Sequence, residues 1–194
     1  MSIAENALLA LGKILLGLFT ASVLLVINGL YNAGMGVSKL TILSALRPGG
    51  RVREEEVLKQ TGTVLLTTSV IYIVYAVFTL SAEIHEKYPP LIAFVIIVVV
   101  FTEISVNLFG VFSTKKTKRL VLHANKCISL ASSLINLVMV QTALVSFPNW
   151  RFSWLFNGLS GVTFGTAAAF IGLYLILYDK IRGKFPKNQT KRPG

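Results

Sequence analysis

Apolar residues in this chain neither alternate nor recur on a single face. They come in long runs that short polar and basic stretches separate. A helix needs about 20 apolar residues to cross a hydrocarbon core of roughly 30 Å. Five segments reach that length: Ala7 to Tyr31, Gly62 to Ala82, Pro90 to Phe112, Leu120 to Phe147 and Trp154 to Tyr178. Lipid offers a backbone no hydrogen-bond partner, so each is expected to be a helix. This holds even for Val95 to Val100, whose β-branched side chains would favour a strand in water. The predicted fold class is all-α integral membrane, a bundle of five transmembrane helices in one membrane domain over residues 1–194.

Residues 32–61 form the one sizeable connection. Val37, Leu40, Leu43 and Leu46 recur there at helical spacing beside Lys39 and Arg47, the pattern of a short amphipathic helix lying along the membrane surface. Pro48, Gly49 and Gly50 break it. Glu55 and Lys59, four apart, support a helical lead into the second span. Pro89 and Pro90 mark a helix start. Tyr88, Trp150, Trp154, Tyr174 and Tyr178 sit at boundaries, where amphipathic rings prefer the interface.

Composition agrees with this pattern. Only 14% of residues are charged and mean hydropathy is +0.69, whereas a soluble domain carries about a quarter charged residues. An ordinary water-soluble globule is thus not expected. The 19 Lys and Arg outnumber the 8 Asp and Glu, and their placement is informative. Fifteen fall in three clusters: Lys39, Arg47, Arg51, Arg53 and Lys59; then Lys115, Lys116, Lys118 and Arg119; then the six of the tail 179–194. Lys13, Lys87 and Arg151 stand near the other face. Basic loops stay in the cytoplasm, so five crossings are expected with the amino terminus outside and the carboxyl terminus cytoplasmic, in a plasma or cytoplasmic membrane. The tail is expected to meet anionic lipid, at about 1 kcal/mol per basic residue. The aromatic interleaving of a nucleic-acid surface is missing, so no nucleic-acid partner is expected.

Polar residues inside the spans are costly and therefore informative. Glu103 falls near the middle of the third span, with Asn107 one turn on along the same face. An ionised acid at that depth costs on the order of 3 kcal/mol unless it meets a cation or water. Asn125, Ser129, Ser132 and Asn136 form one stripe on the fourth span; Thr68, Tyr72, Tyr75 and Thr79 form another on the second. Both are expected to turn inward, either lining a path or bonding across helices. Lys126 either snorkels to the headgroups or pairs with Glu103. On the fifth span Gly161, Gly165 and Ala169 form a small-residue ridge, for packing within the chain or against a homodimer or other membrane-protein partner.

Reactive chemistry is sparse. Cys127 has no partner in the chain, and His85 and His123 lie in different regions, so neither a disulfide nor a metal site is expected. There is no phosphate-binding loop, no H-E-x-x-H and no nucleophile elbow. Lys39, Arg47 and Pro48 miss the lipid-phosphatase spacing by one residue and lack its histidines. No cofactor and no catalytic residue is expected, and the chain reads as a non-enzyme. The leading function is a small-solute or ion transporter, a channel-like protein or a subunit of one. Its candidate residues are Glu103, Asn107, Asn125, Ser129, Asn136, Tyr72 and Tyr75. The alternative is a non-catalytic assembly, immunity or regulatory partner of another membrane protein; third comes a membrane-embedded lipid enzyme.

Overall fold

A computed structural model describes residues 3–46, 53–113, 120–147 and 151–183. These residues form six helices and no strand: α1 (Ile3–Phe19), α2 (Val23–Leu46), α3 (Glu54–Ser81), α4 (Pro90–Ser113), α5 (Leu120–Val145) and α6 (Ser153–Gly183). Five, α2 to α6, are long and apolar enough to cross a membrane. Their outer faces carry Val74, Phe78, Phe94, Phe101, Phe109 and Phe170, all exposed, while Asn28, Asn32, Glu103 and Asn136 are buried. Apolar outside and polar inside is the arrangement of a protein whose solvent is lipid. The chain is thus a multi-pass, membrane-embedded helical protein.

The first span departs from expectation. Instead of one helix over Ala7 to Tyr31, the chain reverses at Thr20–Ser22 and α1 doubles back along α2. The turn closes through Thr20 N–H to the Leu16 carbonyl at 2.9 Å and Ser22 N–H to the Gly17 carbonyl at 2.8 Å. Ala21 sits at φ 53°, a left-handed conformation that costs an alanine about 1–2 kcal/mol. Packing between the two helices offsets that cost. A Cβ at Gly17 would stand 2.8 Å from the Val26 nitrogen, and one at Gly29 would stand 2.9 Å from the Ala10 carbonyl. Glycine on both faces lets the helices touch backbone to backbone.

The connection 32–61 is also different. α2 runs on to Leu46, so the segment read as a surface helix is the second half of a membrane-length helix, with Val37, Leu40 and Leu43 on its exposed face. α3 begins at Glu54, eight residues before Gly62, and carries Glu54, Glu55 and Glu56 in its first turn, where the helix dipole favours acids. The remaining helices lie close to the expected spans. Arg47 to Arg51, Lys115 to Arg119, Pro148, Trp150 and the tail beyond 183 fall outside the described residues.

α3 and α6 make the most extensive seam. Gly158, Gly161, Gly165 and Gly172 of α6 face Leu80, Ala76, Ile73 and Leu66 of α3; at Gly172 an added Cβ would lie 2.8 Å from the Leu66 nitrogen. The ridge advances by alternating steps of three and four, as two helices at a shallow crossing angle require. It therefore passes through Ala168, fully buried, while Ala169 is half-buried beside it. α5 lies centrally, against α2, α3, α4 and α6, whereas the backbone of α1 packs on α2 and that of α4 on α5.

Close packing and open space separate the glycines. Gly172→Ala is expected to destabilise the fold by about 1–3 kcal/mol, typical of overpacking, and so to lower the apparent Tm in detergent. Gly12→Ala, where a Cβ meets nothing within 4 Å, is expected to leave it unchanged or raise it. Equal thermal melts for the two variants would contradict the seam.

Candidate functional site

Three helices bring one charged cluster together. Lys13 of α1 extends its ammonium to Glu103 Oε2 of α4 at 2.8 Å and donates to Asn136 Oδ1 of α5 at 3.2 Å. Lys13, Glu103 and Asn136 are 5%, 2% and 1% exposed. Glu103 stands thirteen residues into α4, about 20 Å from its start at 1.5 Å per residue, so the pair lies deep in the helical layer. Its cation is therefore Lys13 and not Lys126, because the reversal at Thr20–Ser22 carries α1 back alongside the bundle.

The cluster is only partly satisfied. Lys13 has three N–H groups and uses two on Glu103 and Asn136. Glu103 Oε1 and Asn136 Nδ2 are buried and bond no protein group. One orphan acceptor and one orphan donor thus flank the ion pair. In a low-dielectric interior each unmade bond costs about 1–3 kcal/mol.

Beside the cluster α1 and α4 stand apart. The gap between them holds two adjoining hollows of about 210 and 440 Å³, both bordered by Leu8, Leu9 and Val99. Lys13 lines the first and Glu103 the second; the other walls are almost entirely apolar. Gly12 helps keep the cleft wide, since it projects no side chain into the space its Cβ would occupy.

A second network closes one end of the bundle. Glu86, in the α3–α4 connection, accepts from Tyr75 Oη at 2.9 Å, Ser22 Oγ at 2.9 Å and the Leu24 N–H at 3.3 Å. Since Ser22 gives its one proton to Glu86, Tyr88 Oη must donate to Ser22 Oγ, 3.0 Å away. Ser22 Oγ also accepts the Leu25 N–H at 3.3 Å, as the N-cap of α2 does. Burial, reinforced by the Glu86 carboxylate, pushes the Tyr88 phenol above its ordinary value and keeps it a donor. Glu86 therefore helps to cap a helix at Leu24, 62 residues earlier in the chain, and fixes the turn between α1 and α2.

Of the residues singled out from the sequence, Glu103 and Asn136 meet through Lys13, and Tyr75 joins the Glu86 network. Tyr72 is buried with its hydroxyl unbonded. Asn107, Ser129 and Ser132 are buried, and Asn125 is half-buried. Thr68 and Thr79 turn their hydroxyls to their own helix, on the Val64 and Tyr75 carbonyls. A further polar seam, of which only Tyr72 was forecast, joins Asn28, Tyr31, Asn32 and Ser38 of α2 with Thr61, Ser69 and Tyr72 of α3, all buried with no hydrogen bond of good geometry to a protein group. From the sequence Lys13 and Tyr88 were placed at the interfaces, whereas both are buried, and Ser22 and Glu86 were missed; Lys13 carried a signal as the lone cation in the first apolar run.

Breaking one side of a buried pair strands the other charge. Lys13→Met is expected to cost about 3–5 kcal/mol, and Lys13→Met combined with Glu103→Leu to recover most of it. Thermal unfolding in detergent checks this; a double variant no more stable than Lys13→Met would contradict it. No protein-family model and no curated protein matches the chain.

Proposed function

We propose that the protein is a small membrane carrier whose ion- or proton-responsive centre is the Lys13–Glu103–Asn136 cluster. One observation carries this reading: an ion pair buried deep among the helices, with an orphan acceptor and an orphan donor in its cluster, whose Lys13 and Glu103 border a cleft. A purely structural pair gains by satisfying every partner, since half-made polar networks in an apolar interior are costly. A centre that exchanges a proton, an ion or a solute needs unfilled valences. α1 is suited to move, because its backbone packs on α2 alone and, among the described residues, its polar tie to α4 and α5 is Lys13. Competition for Glu103 would release Lys13 and shift α1.

In this reading the protein lies in the cytoplasmic membrane with its basic connections and tail in the cytosol. The reversal at Thr20–Ser22 precedes all three basic clusters, so it leaves their common side intact. The partner reading has less support, because α3 of the same chain already covers the Gly161 and Gly165 ridge.

Purified protein in liposomes with a trapped pH-sensitive dye tests the reading. Wild-type vesicles are expected to dissipate an imposed pH gradient faster than empty ones, and Glu103→Gln to return the rate to that of empty vesicles. Equal rates for all three would remove the proton-responsive role.

A further inference from the structure

The cleft between α1 and α4 has a chemistry of its own. It is bordered by Leu8, Leu9, Ile96, Val98 and Val99, and it opens sideways between two helices whose outer faces are apolar. A solute arriving from that side comes from the hydrocarbon layer, so most of its surface must be apolar. At the inner wall it meets Lys13 and Glu103. Glu103 is 2% exposed and its Oε1 has no protein donor; the third N–H of Lys13 and Asn136 Nδ2 have no protein acceptor.

Charge selects the head group. The Lys13–Glu103 pair is already neutral as a unit, so a carboxylate or ammonium brought beside it would add an uncompensated charge to a low-dielectric site. An ether or alkane adds none but leaves Glu103 Oε1 without a donor. A hydroxyl both donates and accepts. It can give its proton to Glu103 Oε1 and accept from Lys13, with no net charge.

We propose that the cleft between α1 and α4 binds a lipid alcohol, with its apolar chain along Leu8, Leu9 and Val99 and its hydroxyl on Glu103 Oε1. This deepens the carrier reading by naming the class of its solute, and it rests on that reading only for what happens after binding. Gly12 is the specificity-determining position of the cleft, because any side chain there occupies the space the alkyl chain needs.

Photolabelling of the full chain in lipid nanodiscs tests the inference. The probe is a long-chain primary alcohol bearing a diazirine, compared with the chain-matched methyl ether, amine and carboxylic acid. Labelling by the alcohol is expected on peptides containing Leu8 to Leu16 and Val95 to Val106, at least about fivefold above each analogue, the factor an unmade buried hydrogen bond imposes. Excess unlabelled alcohol is expected to suppress it. Gly12→Phe and, from the opposite wall, Val99→Trp are expected to abolish it while each variant still elutes as wild type in size exclusion. Equal labelling by all four probes, or labelling that persists in whichever of the two variants folds, would overturn the site. Selective labelling without dissipation of a pH gradient would keep the alcohol site and remove the carrier role; dissipation without selective labelling would do the reverse.

Discussion

The contact between Lys13 and Glu103 is the constraint on which the rest of the molecule turns. A single amine and a single acid, each inside an apolar run, would each be expensive in lipid. Together, with Asn136 as a third partner, they become tolerable, provided the chain can bring residues 13 and 103 to one place. A continuous first span would leave Lys13 one helix away from that meeting. Reversal at Thr20–Ser22 achieves it, and the strained Ala21, the glycines of the α1–α2 contact and the Glu86 cap all serve that reversal.

Two close helix pairs, α1 with α2 and α3 with α6, are built on glycine. They differ in what else holds them. α3 and α6 are joined along most of their length, and α6 is further tied to α5 by the mutual hydrogen bonds of Gln141 and Ser160 at 2.7 and 2.9 Å. Among the described residues, α1 has one helical neighbour in α2, the half-buried Leu16 against the α4–α5 cluster, and one ion pair. Motion is expected where fewest contacts must be given up, and that element also forms one wall of the cleft.

Much of the architecture was legible in the sequence. The limits of α4, α5 and α6 follow from run length, since lipid enforces helices wherever apolar residues persist. Glu103, Asn136 and Tyr75 stood out as polar residues at unfavourable depth. The reversal within Ala7 to Tyr31 was not legible, because Phe19-Thr20-Ala21-Ser22 contains neither glycine nor proline and Glu86, which joins Ser22 in capping the second helix, lies 64 residues beyond it. The same omission turned Lys13 into an interfacial charge and the second half of α2 into a surface helix. A count of five long helices was reached, but the first of them is shifted by sixteen residues. The polar seam of α2 escaped notice for a related reason: Asn28, Asn32 and Ser38 share a face only once α2 is one helix.

Solid-state NMR on the protein in lipid bilayers measures the central contact directly, by dipolar recoupling between lysine Nζ labelled with ¹⁵N and the Glu103 carboxyl carbon labelled with ¹³C. A short-range coupling is expected that is lost in Lys13→Arg and retained in Lys126→Arg. Absence of coupling, or a coupling that survives Lys13→Arg and disappears in Lys126→Arg, would contradict it.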